Sequence, residues 1–163
     1  MIIIGIDPGT TSVGYAILEV GRDAPALRAA GLIPTASSDS HERLKKLHHG
    51  LNVLMKEWNP DTMALERLFF AKNQKTALAV AEARGVILLT ASLARLTLYE
   101  YTPLEIKKVI SGDGAADKKG VKKMIQLTLP QTKELRARDD VFDAIAVALV
   151  CHFKERHTLS PRP

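Results

Sequence analysis

Four carboxylates stand where carboxylates need a reason. Asp7 closes the β-branched run Ile2 to Ile6, and Glu66 falls between the apolar Met63, Ala64, Leu65 and the apolar Leu68, Phe69, Phe70. Asp140 and Asp143 sit three apart at the head of an apolar helix in RARDDVFDAIAVALV, a spacing that shares one helix face. Some of these have plain structural readings. A strand-ending Asp is commonly a turn residue, and Asp139 or Asp140 can serve only as an N-cap that complements the helix dipole. Glu66 resists such a reading, because glutamate is disfavoured in strands. Asp143 resists it too, lying a turn inside its helix beside the run Ala144 to Val150.

If the four converge, their repulsion raises their pKa values and opens the site unless cations sit among them. Oxygen-only ligands suit hard divalent ions. Two Mg²⁺ or Mn²⁺ ions roughly 3.5 to 4 Å apart would activate a water and stabilise the leaving oxygen of an in-line phosphoryl displacement. The expected activity is a phosphodiesterase. A second reading starts from GIDPGTTS, where the glycine and threonines after Asp7 could cradle a nucleotide phosphate as in actin-like ATPases and sugar kinases. That fold needs a second lobe with its own phosphate loop. No later match appears, since SGDG around Asp113 lacks the strand before it.

The elements that must position these residues follow from hydrophobic periodicity and turn signals. Ile2 to Ile6, Val13 to Val20 and Leu27 to Ile33 predict three antiparallel strands, punctuated by Gly9, Gly21 and Pro34. Leu44, Leu47, Leu51, Leu54 and Met55 predict an amphipathic helix over His41 to Trp58. Thr62 to Leu65 is a short strand ending on Glu66, and a helix runs from Gln74 to about Leu93. Its alanines, Ala77, Ala79, Ala81 and Ala83, lie around several faces, which allows one side to meet another subunit. Leu96 to Tyr101 is the fifth strand. Thr102, Pro103 and Glu105 make a capped helix start, and the short helix continues to Ile110. A flexible SGDGAAD loop follows, then a basic helix Lys118 to Leu127, a polar connection Pro130 to Arg138, and a last helix from Asp139 to about Glu155.

This order implies an α/β fold with a mixed five-stranded sheet and helices on both faces. Function in such sheets gathers beyond the carboxyl ends of the parallel strands. Asp7 and Glu66 are placed to reach that rim.

A chain of 163 residues fits one domain, read here as 1–156 with a disordered tail over 157–163. With 46% hydrophobic and 25% charged residues it has the composition of a soluble globule, and no apolar run approaches the roughly 20 residues that span a bilayer. MIIIGI is too short for a secretory signal. Cys151 is the only cysteine, which excludes an internal disulfide and fits a reducing, cytoplasmic setting. The net charge is +5, and the basic residues Lys107, Lys108, Lys118, Lys119, Lys122, Lys123, Lys133, Arg136 and Arg138 cluster within one stretch. Such a cluster suits a polyanion, although a solvated face has the same composition.

Asp7 in GIDPG, Glu66 in ERLFFAKN, the segment around AEARGV, and Asp140 and Asp143 in DDVFDAIAVA together resemble the bacterial RuvC Holliday-junction resolvases. The resemblance covers Met1 to about His152. It implies an RNase H-like fold, a homodimer, and paired metal-dependent incisions in opposed strands of a four-way DNA junction during recombination and repair. It implies Asp7, Glu66, Asp140 and Asp143 as the acids that bind metal, with Asp140 preferred over Asp139 because the family leaves two residues between the last two acids. Lys107 and Lys118 fall where the family carries basic residues near the scissile phosphate, and both are also plausible surface lysines. Phe69 would stack on a junction base, or one of Phe69 and Phe70 would pack in the core while the other meets a partner subunit. Lys72, Lys108, Lys119, Lys122 and Lys123 would track the DNA backbone. RuvA and RuvB are the implied protein partners. Other RNase H-like nucleases, acting on structured RNA or on RNA/DNA hybrids, carry similar acids and remain the alternative, as does a junction-binding module without catalysis.

Overall fold

The computed structural model describes residues 1–9, 11–21, 24–67, 74–155 and 158. Three strands open the chain, β1 (Ile2–Asp7), β2 (Ser12–Glu19) and β3 (Ala26–Pro34). After them come α1 (Ser40–Trp58), β4 (Thr62–Glu66), α2 (Gln74–Leu93), β5 (Thr97–Tyr101), α3 (Pro103–Ser111), α4 (Lys118–Thr128) and α5 (Asp139–Glu155). The strands lie in the order β3-β2-β1-β4-β5. β1, β2 and β3 pair antiparallel, while β1, β4 and β5 run parallel. This is the mixed five-stranded sheet that the periodicity predicts.

Alternation along the strands makes two cores, because successive side chains leave opposite faces. On β1, Ile4 and Ile6 join Met63, Leu65, Leu47, Leu51 and Ile87 beneath α1 and α2. Ile3 faces the other side with Ala64, Tyr101 and most of α5, where α3 and α4 also pack. Arg43 ties α1 to α2 through Glu82 at 2.7 Å.

Helix α5 lies unusually close to the sheet, and two strand glycines make room for it. A Cβ on Gly5 would sit 2.3 Å from the Ala144 carbonyl oxygen, and one on Gly14 would sit 2.0 Å from that of Asp140. Both distances are far inside van der Waals contact. Gly5 and Gly14, with Ala144 and Ala148 opposite, therefore fix how deep and in what phase α5 sits on β1 and β2.

The helix starts follow the predicted chemistry. The Thr102 hydroxyl accepts from the Glu105 amide at 3.2 Å, and the Glu105 carboxylate accepts from the Thr102 amide at 2.9 Å, so α3 begins on a complete capping box. Asp117 caps α4 by accepting from Gly120 N at 2.8 Å, which makes Lys118 the first residue of that helix. The SGDGAAD loop is held by an Asp113 side chain that accepts from Ala115 N at 2.8 Å. The expected polar connection contains a 3-10 turn, Pro130–Glu134, anchored by Leu129 and Thr132, both fully buried. Among the described residues no helix is long and apolar enough to cross a membrane.

Candidate active site

Asp7 and Glu66 meet because two parallel strands end at the same level. The register pairs Ile6 with Leu65, so the next residues, Asp7 and Glu66, extend it at the carboxyl ends of β1 and β4. By alternation both share the face of Ile3 and Ala64, which α5 covers. Their carboxyl groups lie close enough for each to act on the titration of the other. Burial pushes the Asp7 carboxyl up, and the charges of Glu66, Asp143 and Asp140 push it further, to about 8. Glu66 is also raised, first by burial and then by Asp143, against the opposing pull of Asp7 and Lys118.

The first turn of α5 supplies the other two acids. Asp143 is raised by burial, while the charge and hydrogen bond of Lys118 oppose the rise. Asp140 Oδ2 accepts from the Ser12 hydroxyl at 3.2 Å and pairs as an ion with Arg138 Nη2 at 3.4 Å. Asp139 turns outward, its side chain 68% exposed, and pairs with Lys118 at 3.2 Å. Asp140 and Asp143, not Asp139, supply the α5 charges that act on Asp7. The structure thus brings Asp7, Glu66, Asp140 and Asp143 together and leaves Asp139 at the margin.

Lys118 Nζ stands between Asp139 and Asp143, at 3.2 and 3.4 Å. Partial burial lowers its pKa, but the Asp139 hydrogen bond and both carboxylate charges outweigh that and raise it overall. Lys118, Lys107, Glu66 and Asp143 line one cleft of about 190 Å³, floored by Pro103, Ile106 and Val121. Both lysines therefore line the cleft that Glu66 and Asp143 share, and Lys118 alone is seen to pair with the acids. Lys108, Lys119 and Lys123 are exposed, whereas the Lys122 ammonium lies 4.0 Å above the Phe142 ring, a cation–π contact. Phe69, Phe70 and Lys72 lie outside the described residues.

Four carboxylates, Ser12, Lys118 and Arg138 make a site whose donors to a ligand are oxygens and whose counter-charges are few. Among the described residues no three Asp, Glu, His or Cys side chains stand at ready-made metal-ligating spacing. Like-charged carboxylates so gathered raise one another's pKa, and Asp7 and Glu66 are both raised. Sequence reasoning missed Ser12 and Arg138 as partners of Asp140. A signal existed for the first: Ser12, Gly14 and Ala16 alternate as the small residues of the β2 face beneath α5.

The comparisons with known proteins concern nearly the whole chain. The family model described as crossover junction endodeoxyribonuclease RuvC matches residues 3–152. The chain is 45% identical to the crossover junction endodeoxyribonuclease RuvC of Halothermothrix orenii over 153 residues, covering 93% of this chain and 92% of that one. It is 47% identical to that of Moorella thermoacetica, covering 93% and 90%. The Thermus thermophilus RuvC structure superposes with a TM-score of 0.87 at 28% identity, over 99% of both chains. The same protein in complex with a Holliday junction substrate gives 0.88 at 29%, over 99% and 98%.

Proposed function

The chain belongs to the family of crossover junction endodeoxyribonucleases named RuvC, and from that premise we propose how its own residues carry out the reaction. Its fold is the RNase H-like α/β arrangement, and it is a structure-selective endonuclease that resolves Holliday junctions. The observation that carries the site is the convergence of Asp7, Glu66, Asp140 and Asp143 on one sheet rim, with the Asp7 carboxyl pushed up to about 8 by burial and by the other three. So costly a gathering of acids has a use when divalent cations share it.

The donor set fits such ions. Asp7, Glu66, Asp140 and Asp143 would hold them, two Mg²⁺ or Mn²⁺ ions per site. When bound, the ions supply Lewis-acid charge to an in-line displacement at phosphorus. The protein's own part is positioning and charge. Lys107 and Lys118 line the same cleft as Glu66 and Asp143, so their ammonium groups can face a phosphodiester lodged there and stabilise the charge that develops on it. Asp139 holds Lys118 at the cleft mouth. Lys108, Lys119 and Lys123 are free to track the DNA backbone, and Lys122 does so from its seat over Phe142. Phe69 and Lys72, adjoining Glu66 in sequence, are assigned to the junction on family grounds, Phe69 as the stacking residue.

Two symmetric cuts call for two sites, which suits a twofold homodimer. Helix α2 supports this reading, because Leu78, Leu89 and Leu93 are 72%, 58% and 70% exposed. With Gly85, where a side chain would meet nothing, they form one apolar stripe at helical spacing. RuvA and RuvB are the proposed protein partners, and the cytoplasm the proposed location, both from the family.

The test is product mapping on a four-way junction with a mobile core. Paired nicks at symmetric positions in like strands are expected, abolished by Asp7→Asn while junction binding persists. Cutting at the wild-type rate by Asp7→Asn would overturn the assignment, and preferential cutting of an RNA/DNA hybrid would favour the other RNase H-like reading.

A further inference from the structure

In GIDPGTTS the metal centre uses only Asp7, yet a second side chain of this stretch reaches the same site. Ser12 opens β2, is 6% exposed, and donates from Oγ to Asp140 Oδ2 across 3.2 Å. The two residues are 128 positions apart in sequence. Their meeting is enforced by backbone, since Gly14, two residues on, lets the Asp140 carbonyl approach so closely that a Cβ there would lie 2.0 Å away. Arg138 reaches the same Oδ2 at 3.4 Å, with its own side chain 63% exposed. Among the described residues no hydrogen bond engages Asp140 Oδ1.

We infer that Ser12 is a positioning residue for Asp140: its hydroxyl fixes the carboxylate with Oδ2 occupied and Oδ1 left to a divalent ion, and so sets the ion affinity of the site. The inference rests on the metal-centre reading above. A buried hydroxyl suits this task better than the guanidinium. It orients the carboxylate without neutralising it, whereas Arg138 carries charge that opposes an incoming cation and, being exposed, holds its partner weakly. Carboxylates that ligate metals are themselves commonly hydrogen-bonded, and loss of such a partner lowers metal affinity by about 10-fold to 100-fold.

The test compares Ser12→Thr with Ser12→Val in the full chain, two nearly isosteric side chains that differ in the hydroxyl. Mn²⁺ binding to the DNA-free protein is measured by calorimetry, and junction cleavage is titrated with Mn²⁺. Ser12→Val is expected to weaken Mn²⁺ binding about 10-fold and to raise the half-saturating concentration by the same factor. Its rate should recover as Mn²⁺ approaches saturation, because the ligands themselves are intact. Ser12→Thr should keep the wild-type affinity. Equal affinities for the Thr and Val variants, or a lowered saturating rate at unchanged affinity, would overturn the role of Ser12. If the added methyls lower the melting temperature of both variants, Ser12→Ala replaces Val against wild type under the same criterion. Should Asp143→Asn bind Mn²⁺ as tightly as wild type, the metal centre itself is overturned, an outcome distinct from failure at Ser12.

Discussion

Replacing Asp7 with Asn should make the metal-free protein more stable while destroying its activity. Asp7 has its carboxyl raised from 3.8 to about 8, by burial and then by Glu66, Asp143 and Asp140. A group whose folded pKa lies above its unfolded value contributes full stability below the unfolded value and loses it as pH rises through the folded one. The window is therefore pH 4 to 8. At about 1.4 kcal/mol per pH unit, ionising this site by pH 8 costs about 5 kcal/mol, against under about 2 kcal/mol at pH 5. Asn mimics the protonated acid and keeps a donor for Glu66, but burying its amide offsets part of the gain, so about half should be recovered. For a domain of this size each kcal/mol moves the melting temperature about 2–4 °C. Thermal melts in EDTA should then place Asp7→Asn about 5–10 °C above wild type at pH 8 and about 2–4 °C above it at pH 5. Excess Mg²⁺ should reverse the order at pH 8, because a ligand that binds the folded state stabilises it. Equal or lower melting temperatures for the variant in EDTA at pH 8 would refute the claim that burial and the neighbouring acids make an ionised Asp7 costly in the folded state.

Three further outcomes follow from the geometry. Gly14→Ala should destabilise the fold by about 1–3 kcal/mol in urea unfolding and lower cleavage, because its methyl would meet the Asp140 carbonyl oxygen and shift two acids; an unchanged urea midpoint would contradict the packing argument. Leu89→Glu combined with Leu93→Glu, on the exposed stripe of α2, should convert the proposed dimer to monomers in sedimentation, with little change in melting temperature of the protomer. Lys119→Gln and Lys123→Gln should each weaken junction binding and reduce the slope of log K against log salt by about 0.9, read by fluorescence titration at several ionic strengths.

Much of this was legible in the order of residues because it is local. Strand alternation, the α1 periodicity and the Thr102–Glu105 capping box depend on neighbours within a turn or a pleat, and each element appears where its pattern predicts. Glu66 and Asp143 stood out for a related reason: they contradict the apolar pattern around them, and a contradiction of local preference marks a position whose partners are distant, whereas Asp7 and Asp140 also had plain local readings. The 3-10 turn at Pro130–Glu134 was not legible, because the buried Leu129 and Thr132 that anchor it sit in an otherwise polar segment.

The sequence by itself determined which residue types could make a metal-dependent phosphodiesterase and which strands and helices would carry them. Only the tertiary structure decided how they meet. Whether Asp139 or Asp140 faces Asp7 depends on the rotation of α5 about its axis, which Gly5 and Gly14 set by letting its backbone settle onto β1 and β2. The seat of Lys118 between Asp139 and Asp143, the stacking of Lys122 on Phe142 and the reach of Ser12 to Asp140 follow from that one docking. These contacts span from about twenty to more than a hundred residues of chain. Helix phase against a sheet is fixed by steric fit across the fold, and no spacing within a single segment encodes it.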